Sequence, residues 1–226
     1  QLRMDRISLA FGLWILFAFC IAGGSLTGLA AEPEKPLLPL NSVQGVLPTF
    51  STDTPRTLEV ATGEENSTDG NGAIKFGGVS KDGPGNHYFG IIVPLPAPLN
   101  LDKLRIVFDA RCDTPETLTR FYVRCYNQGE SKPAWSFSGQ PFVKAETAQH
   151  GGWQTLALQR EVGMTGLQWE PSMVEDRQGT AVDRIEFIVG TSARQAEVAA
   201  SIDNLRTAPA LATIADLTAP KKRIPD

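Results

Sequence analysis

The segment Tyr122-Val123-Arg124-Cys125-Tyr126 places two phenol rings and a guanidinium at alternate positions of one extended run. Alternate residues of a strand share a face, so these three side chains are expected to stand in a row. Flat rings cover the apolar C–H surface of a sugar, and planar polar groups bond its hydroxyls. Arginine adds a planar fork that matches carboxylate or sulfate. Trp153 and Thr155, and with them Arg105, Asp109 and Arg111, also fall on the non-core side of their segments. Together they predict an Arg/Tyr/Trp-lined platform on one sheet. The alternative is plainer: Tyr and Arg suit the outer side of any strand, and Trp153 is packing. Trp135, in Lys132-Pro133-Ala134-Trp135, and Trp169, in Leu167-Gln168-Trp169-Glu170-Pro171, lie in or near loops. Such aromatics either rim a binding site or plug an end of the core.

Catalytic signals are thin. His87 and His150 are the two histidines, both in Gly-rich turns, and neither has metal-ligand spacing. There is no Gly-x-Ser-x-Gly elbow, and no histidine neighbours Cys112 or Cys125 in sequence. Asp109, Glu170 and Glu186 are carboxylates that a glycosidase pair could draw on. A polysaccharide lyase would instead use Arg, Tyr and His on a concave sheet, and its Gln-Ile-His-type strand is missing. A non-catalytic module is the expectation.

The elements that would carry these groups read as strands. Leu104, Ile106, Phe108 and Ala110 alternate with Arg105, Val107 and Asp109, and Phe121, Val123 and Cys125 oppose Arg120, Tyr122, Arg124 and Tyr126. Ala73–Phe76, Tyr88–Val93, Trp153–Leu158, Ile185–Val189 and Val198–Leu205 continue the series. Pro94, Pro96 and Pro98 are read as ending the second of these. Period-two alternation between Gly/Pro/Asp/Asn clusters is what half-buried antiparallel strands require. With 21 glycines, 16 prolines and no sustained helical period, the chain predicts an all-β protein, an antiparallel β-sandwich of jelly-roll form.

The ends differ from this domain. Arg3 and Arg6 precede an apolar run, Ile7 to Ala22, and small residues lead to Gly28-Leu29-Ala30-Ala31. That order predicts a signal-peptide helix over residues 1–31, cut beside Ala31, with an uncleaved membrane anchor as the rival. Secretion or a periplasmic location would follow. Residues 32–44 read as a Pro-rich linker, 45–208 as the sandwich and 209–226 as a tail. The net charge of −4, without a basic run beyond Lys221-Lys222-Arg223, argues against nucleic acid. Cys112 and Cys125 both take the core phase and are expected as buried free thiols. A hairpin turning at 113–119 would hold them apart, whereas a crossover between sheets would let them meet.

Three segments resemble the galactose-binding-like jelly-roll modules found in carbohydrate-binding proteins and beside glycoside hydrolases. They are Asn71-Gly72-Ala73-Ile74-Lys75-Phe76; then Leu104 to Arg111 with Gly152-Trp153-Gln154-Thr155-Leu156; then Ser201-Ile202-Asp203-Asn204-Leu205-Arg206. The resemblance spans residues 45–208. It implies a polysaccharide or glycan partner, acidic if the arginines contact it, and a structural calcium ion held by Asp203 of the last strand with Asp69. The family's Glu after an early Phe is absent here, since Ser51 and Thr52 follow Phe50. Without calcium, Asp203 would cap a turn or pair with Arg206. An interaction module that binds an envelope protein is the alternative on the same scaffold.

Overall fold

The computed structural model describes residues 34–49, 56–63, 66–68, 71–142, 152–159, 163–164, 167–169 and 178–210. The expected signal-peptide helix, Phe50, Asp69, His150, Glu170 and the residues beyond 210 lie outside them. The described residues form thirteen strands: β1 (Lys35–Leu38), β2 (Leu47–Thr49), β3 (Arg56–Ala61), β4 (Ala73–Val79), β5 (His87–Leu99), β6 (Leu104–Cys112), β7 (Arg120–Asn127), β8 (Trp135–Gly139), β9 (Gln154–Gln159), β10 (Gly163–Met164), β11 (Leu167–Trp169), β12 (Val182–Thr191) and β13 (Glu197–Pro209). They build two antiparallel sheets, one of seven strands in the order β10-β9-β6-β13-β4-β3 with β1 also on β13, the other of six in the order β11-β8-β7-β12-β5-β2. This is the predicted all-β sandwich.

The core lies between the sheets and is filled by the apolar half of each alternation. Ile106, Phe108, Leu156, Ile202 and Leu205 come from the seven-stranded sheet, and Phe121, Val123, Cys125, Phe187 and Ile91 from the other. Phe108 and Phe187 meet edge-to-face across the gap, 5.0 Å between centroids, as the ring quadrupoles favour. Burying each such ring contributes about 1.5–3 kcal/mol.

Two features depart from the sequence reading, and a third decides between the hairpin and the crossover that it left open. The linker is extended, as expected, but residues 35–38 pair with Thr207, Arg206 and Leu205 and so belong to the sheet, with Leu40 buried just beyond. Strand β5 runs past Val93 to Leu99. Its prolines are tolerated because β2 pairs it only at residues 90–92, and the β12 register skips from Pro94 to Leu99. Few ladder N–H groups are demanded there. Finally, β6 and β7 belong to different sheets, so the chain crosses over between Cys112 and Cys125, and both thiols are nonetheless free.

Candidate functional site

Alternation along β7 turns Phe121, Val123 and Cys125 inward and leaves Arg120, Tyr122, Arg124 and Tyr126 on the outer face of the six-stranded sheet. Antiparallel register then fixes their neighbours. Tyr122 lies opposite Ser138 on one side and Ile188 on the other. Arg124 lies between Ser136 and Glu186, and Tyr126 lies opposite Arg184. One strand further, Ile188 meets Gly90, Glu186 meets Ile92, Gly190 meets Tyr88, and Arg184 meets Pro94.

These side chains form a connected strip. Tyr88 and Tyr122 meet edge-to-face, 5.8 Å between ring centroids and 74° between planes. The Arg124 guanidinium stands 5.5 Å from the Tyr122 ring centre, and that of Arg184 lies 4.7 Å from Tyr126, both within cation–π range. Glu186, 3% exposed, ties the middle together. Its Oε2 accepts a 2.6 Å hydrogen bond from the Tyr126 hydroxyl and lies 3.6 Å from Arg124 Nη1. Arg184 is held flat by Asp183 at 2.8 Å and by the carbonyls of Asn127 and Glu130. Gly190 is required here, because a Cβ would lie 2.8 Å from the Tyr88 ring.

Burial is uneven along the strip. Tyr122 and Ile188 are buried, Tyr88, Tyr126, Arg124 and Ile92 are half-buried, and Pro94 and Leu47 are exposed. The accessible part therefore runs from Tyr126 and Arg184 toward Pro94, Ile92 and Leu47. Burial, then the hydrogen bond and charge of Glu186, pushes the Tyr126 hydroxyl well above its ordinary value, with Arg124 pulling part of the way back. It stays a proton donor to Glu186 and is badly tuned to abstract a proton, as the lyase reading would need.

The expected platform is divided by the crossover. Trp153, Arg105, Asp109 and Arg111 lie on the outer face of the seven-stranded sheet, with a two-sheet core between them and Tyr122. Trp153 is buried there under Arg111, whose guanidinium is 5.2 Å from the ring and is fixed by Asp113 at 2.7 Å and Asn66 at 3.1 Å. Asp109 and Glu186 accordingly point away from one another and form no glycosidase pair. Trp135 is fully buried in the core, edge-on to Phe137, with Gly179 against its ring. Trp169 belongs to the edge strand β11 and takes the register position opposite Phe137.

Asp203 is fully buried on the same outer face as Asp109. Its Oδ2 accepts from the Thr68 N–H and hydroxyl, both at 2.7 Å. Arg206 pairs with Asp109 rather than with Asp203, in a fork of 2.9 and 3.1 Å, and its Nε reaches Glu34 at 2.9 Å. Burial opposes the Arg206 charge, but the bonds and charge of Asp109, then of Glu34, outweigh it and raise its pKa. Thr155 and Asn204 also donate to Asp109, at 2.7 and 3.3 Å. Calcium needs several oxygen ligands; here both oxygens of Asp109 and Oδ2 of Asp203 accept N–H or O–H bonds. Among the described residues no group of three or more His, Cys, Asp or Glu could hold a metal. Asp69, the proposed second ligand, lies outside them. Among the described residues this corner is a hydrogen-bond network.

The sequence reading did not assemble Tyr88, Arg184, Glu186 and Gly190 with Tyr126. The core phase of Ile185, Phe187 and Val189 does put Arg184 and Glu186 outward, but nothing local says that β12 lies beside β7.

No protein-family model matches the chain, and no curated protein matches it in sequence. Solved structures do match in shape. A family 11 carbohydrate-binding module from Clostridium thermocellum, in complex with a β-1,3-1,4-mixed-linked tetrasaccharide, superposes with a TM-score of 0.50 at 16% identity, covering 79% of this chain and 96% of that one. The family 11 module of a cellulosomal cellulase of Clostridium thermocellum gives 0.50 at 16% identity, with 79% and 95% covered. The chain thus has the jelly-roll sandwich of carbohydrate-binding modules; likeness at this identity establishes the fold.

Proposed function

We propose that this protein is an exported, non-catalytic carbohydrate-binding module, and that it holds its ligand at the Tyr126/Arg184 end of the strip on the six-stranded sheet. The observation that carries the reading is the continuous file of rings and guanidinium groups across β5, β7 and β12. Held in place by neighbours, such groups lose little freedom on binding. The face carries Arg120, Arg124 and Arg184, with Glu186 beside Arg124 and Asp183 beside Arg184, and this arginine excess favours polysaccharides bearing carboxylate or sulfate. Binding of this kind needs no cofactor. The fold of family 11 modules, one of them solved with a bound tetrasaccharide, supports the class of ligand.

The test is affinity electrophoresis through polygalacturonate, a sulfated galactan and a neutral β-glucan. Wild-type protein should be retarded by an acidic gel, and Tyr126→Ala and Arg184→Ala should each lose most of that retardation while keeping the wild-type far-ultraviolet spectrum. Equal migration of all three proteins would overturn the assignment. Retardation by neutral glucan alone would keep the site and discard the acidic ligand. Export belongs to the same reading, and the secreted protein's N-terminus should start beside Ala31.

A further inference from the structure

Arg105 lies on the other outer face, that of the seven-stranded sheet, and takes no part in the strip. It is 9% exposed, and its Nε is fully buried without a hydrogen-bond partner. No hydrogen bond, ion pair or ring contact among the described residues reaches its guanidinium. Every other arginine described so far on that face is engaged: Arg111 with Asp113 and Asn66, and Arg206 with Asp109 and Glu34.

The register explains the difference. Arg206 stands opposite Val107, one row along from Arg105 on the same face, and takes both oxygens of Asp109. On the β13 side Arg105 stands opposite Ala208, which offers a methyl group and no acceptor. A guanidinium cannot shed its charge by deprotonation at ordinary pH, because its pKa is too high. Nor does burial come free for an unpaired charge: the effective penalty is several kcal/mol per ion. Its planar fork of N–H donors suits a two-oxygen anionic group.

We propose that Arg105 is a second binding site, for one carboxylate or sulfate group, on the face opposite the Tyr126/Arg184 strip. It does not rest on the strip, so either assignment can fail alone. In a molecule that binds acidic polysaccharide it would give the chain a second point of attachment, and avidity would follow.

The test follows the Arg105 Nε–H resonance of full-length protein, assigned by its loss in Arg105→Met, during titration with inorganic sulfate and, separately, with glucuronate. A saturable shift at Arg105, with Arg111 and Arg206 unmoved, is the expected result. Saturation by glucuronate alone identifies a carboxylate site, and by sulfate alone a sulfate site. A parallel measurement is unfolding by urea in anion-poor buffer. Arg105→Met should unfold at the same urea concentration as wild type or a higher one, since it removes a charge with no partner among the described residues and keeps the apolar stem. Titrant shifts that are linear and equal at all arginines, or a marked loss of stability in Arg105→Met, would overturn the site. The first outcome means general ion atmosphere, the second an internal partner.

Discussion

Tyr122 and Tyr126 are two turns of the same alternation, yet their surroundings assign them different work. Tyr122 is buried between Tyr88 and Arg124 and supports the strip, whereas Tyr126 is half-buried, with its hydroxyl tied to Glu186 and Arg184 over its ring. The same contrast separates the tryptophans. Trp135 packs on Phe137 and Gly179 with no solvent exposure. Removing its ring should leave a large cavity, and Trp135→Ala is expected to lose about 3–5 kcal/mol of stability. Urea unfolding checks the figure. If that variant keeps wild-type stability but no longer binds polysaccharide, the ring belongs to a ligand site after all.

At the scale of elements, much of the fold is legible and the pairing is not. The strands β6, β7, β9, β12 and β13 follow from alternation over five or more residues, where each inward side chain has an apolar identity. Strands β1, β2 and β8 are short or proline-bearing and are set by their partners instead. Tyr126 and Glu186 are 60 residues apart in the chain and meet only because β7 and β12 are neighbours. Local periodicity fixes which face a side chain takes, but carries no information on which strand lies alongside. The bulge in β13 is a similar case. Asn204 sits at φ 52°, and the register shift between Asp203 and Arg206 sets both residues on the outer face around Asp109. Straight alternation would have sent Arg206 into the core. Asn tolerates the left-handed conformation better than residues without a short polar side chain. Asn204→Val should therefore cost at least about 1–2 kcal/mol, and Asn204→Gly should cost less, as measured by chemical denaturation. Equal losses in the two would show that the side-chain bond to Asp109, and not the backbone, sets the preference.

For the whole molecule, the crossover between β6 and β7 gives the sandwich two chemically distinct outer faces and seals both cysteines inside or beside one core. That burial makes stability depend on alkaline pH. Burial pushes the Cys112 thiol up to about 12, with the charges of Asp113 and Glu116 adding and the Thr114 hydrogen bonds opposing. Burial alone raises Cys125 further still, and burial with Glu186 raises Tyr126. In each case the folded chain keeps a proton that the unfolded chain has lost, so the unfolded state binds fewer protons and stability falls as pH rises. The decline should begin near pH 8.5, where unfolded thiols titrate, and steepen above about pH 10 as unfolded tyrosine joins them. Below that window these groups are protonated in both states and contribute no slope. The urea midpoint is thus expected to be flat for them up to about pH 8 and to drop between about pH 8.5 and 10.5. Cys112→Ala/Cys125→Ala should be less stable at neutral pH through lost packing, yet show a shallower alkaline decline. A double variant that declines as steeply as wild type would mean that the thiols are not the groups responsible.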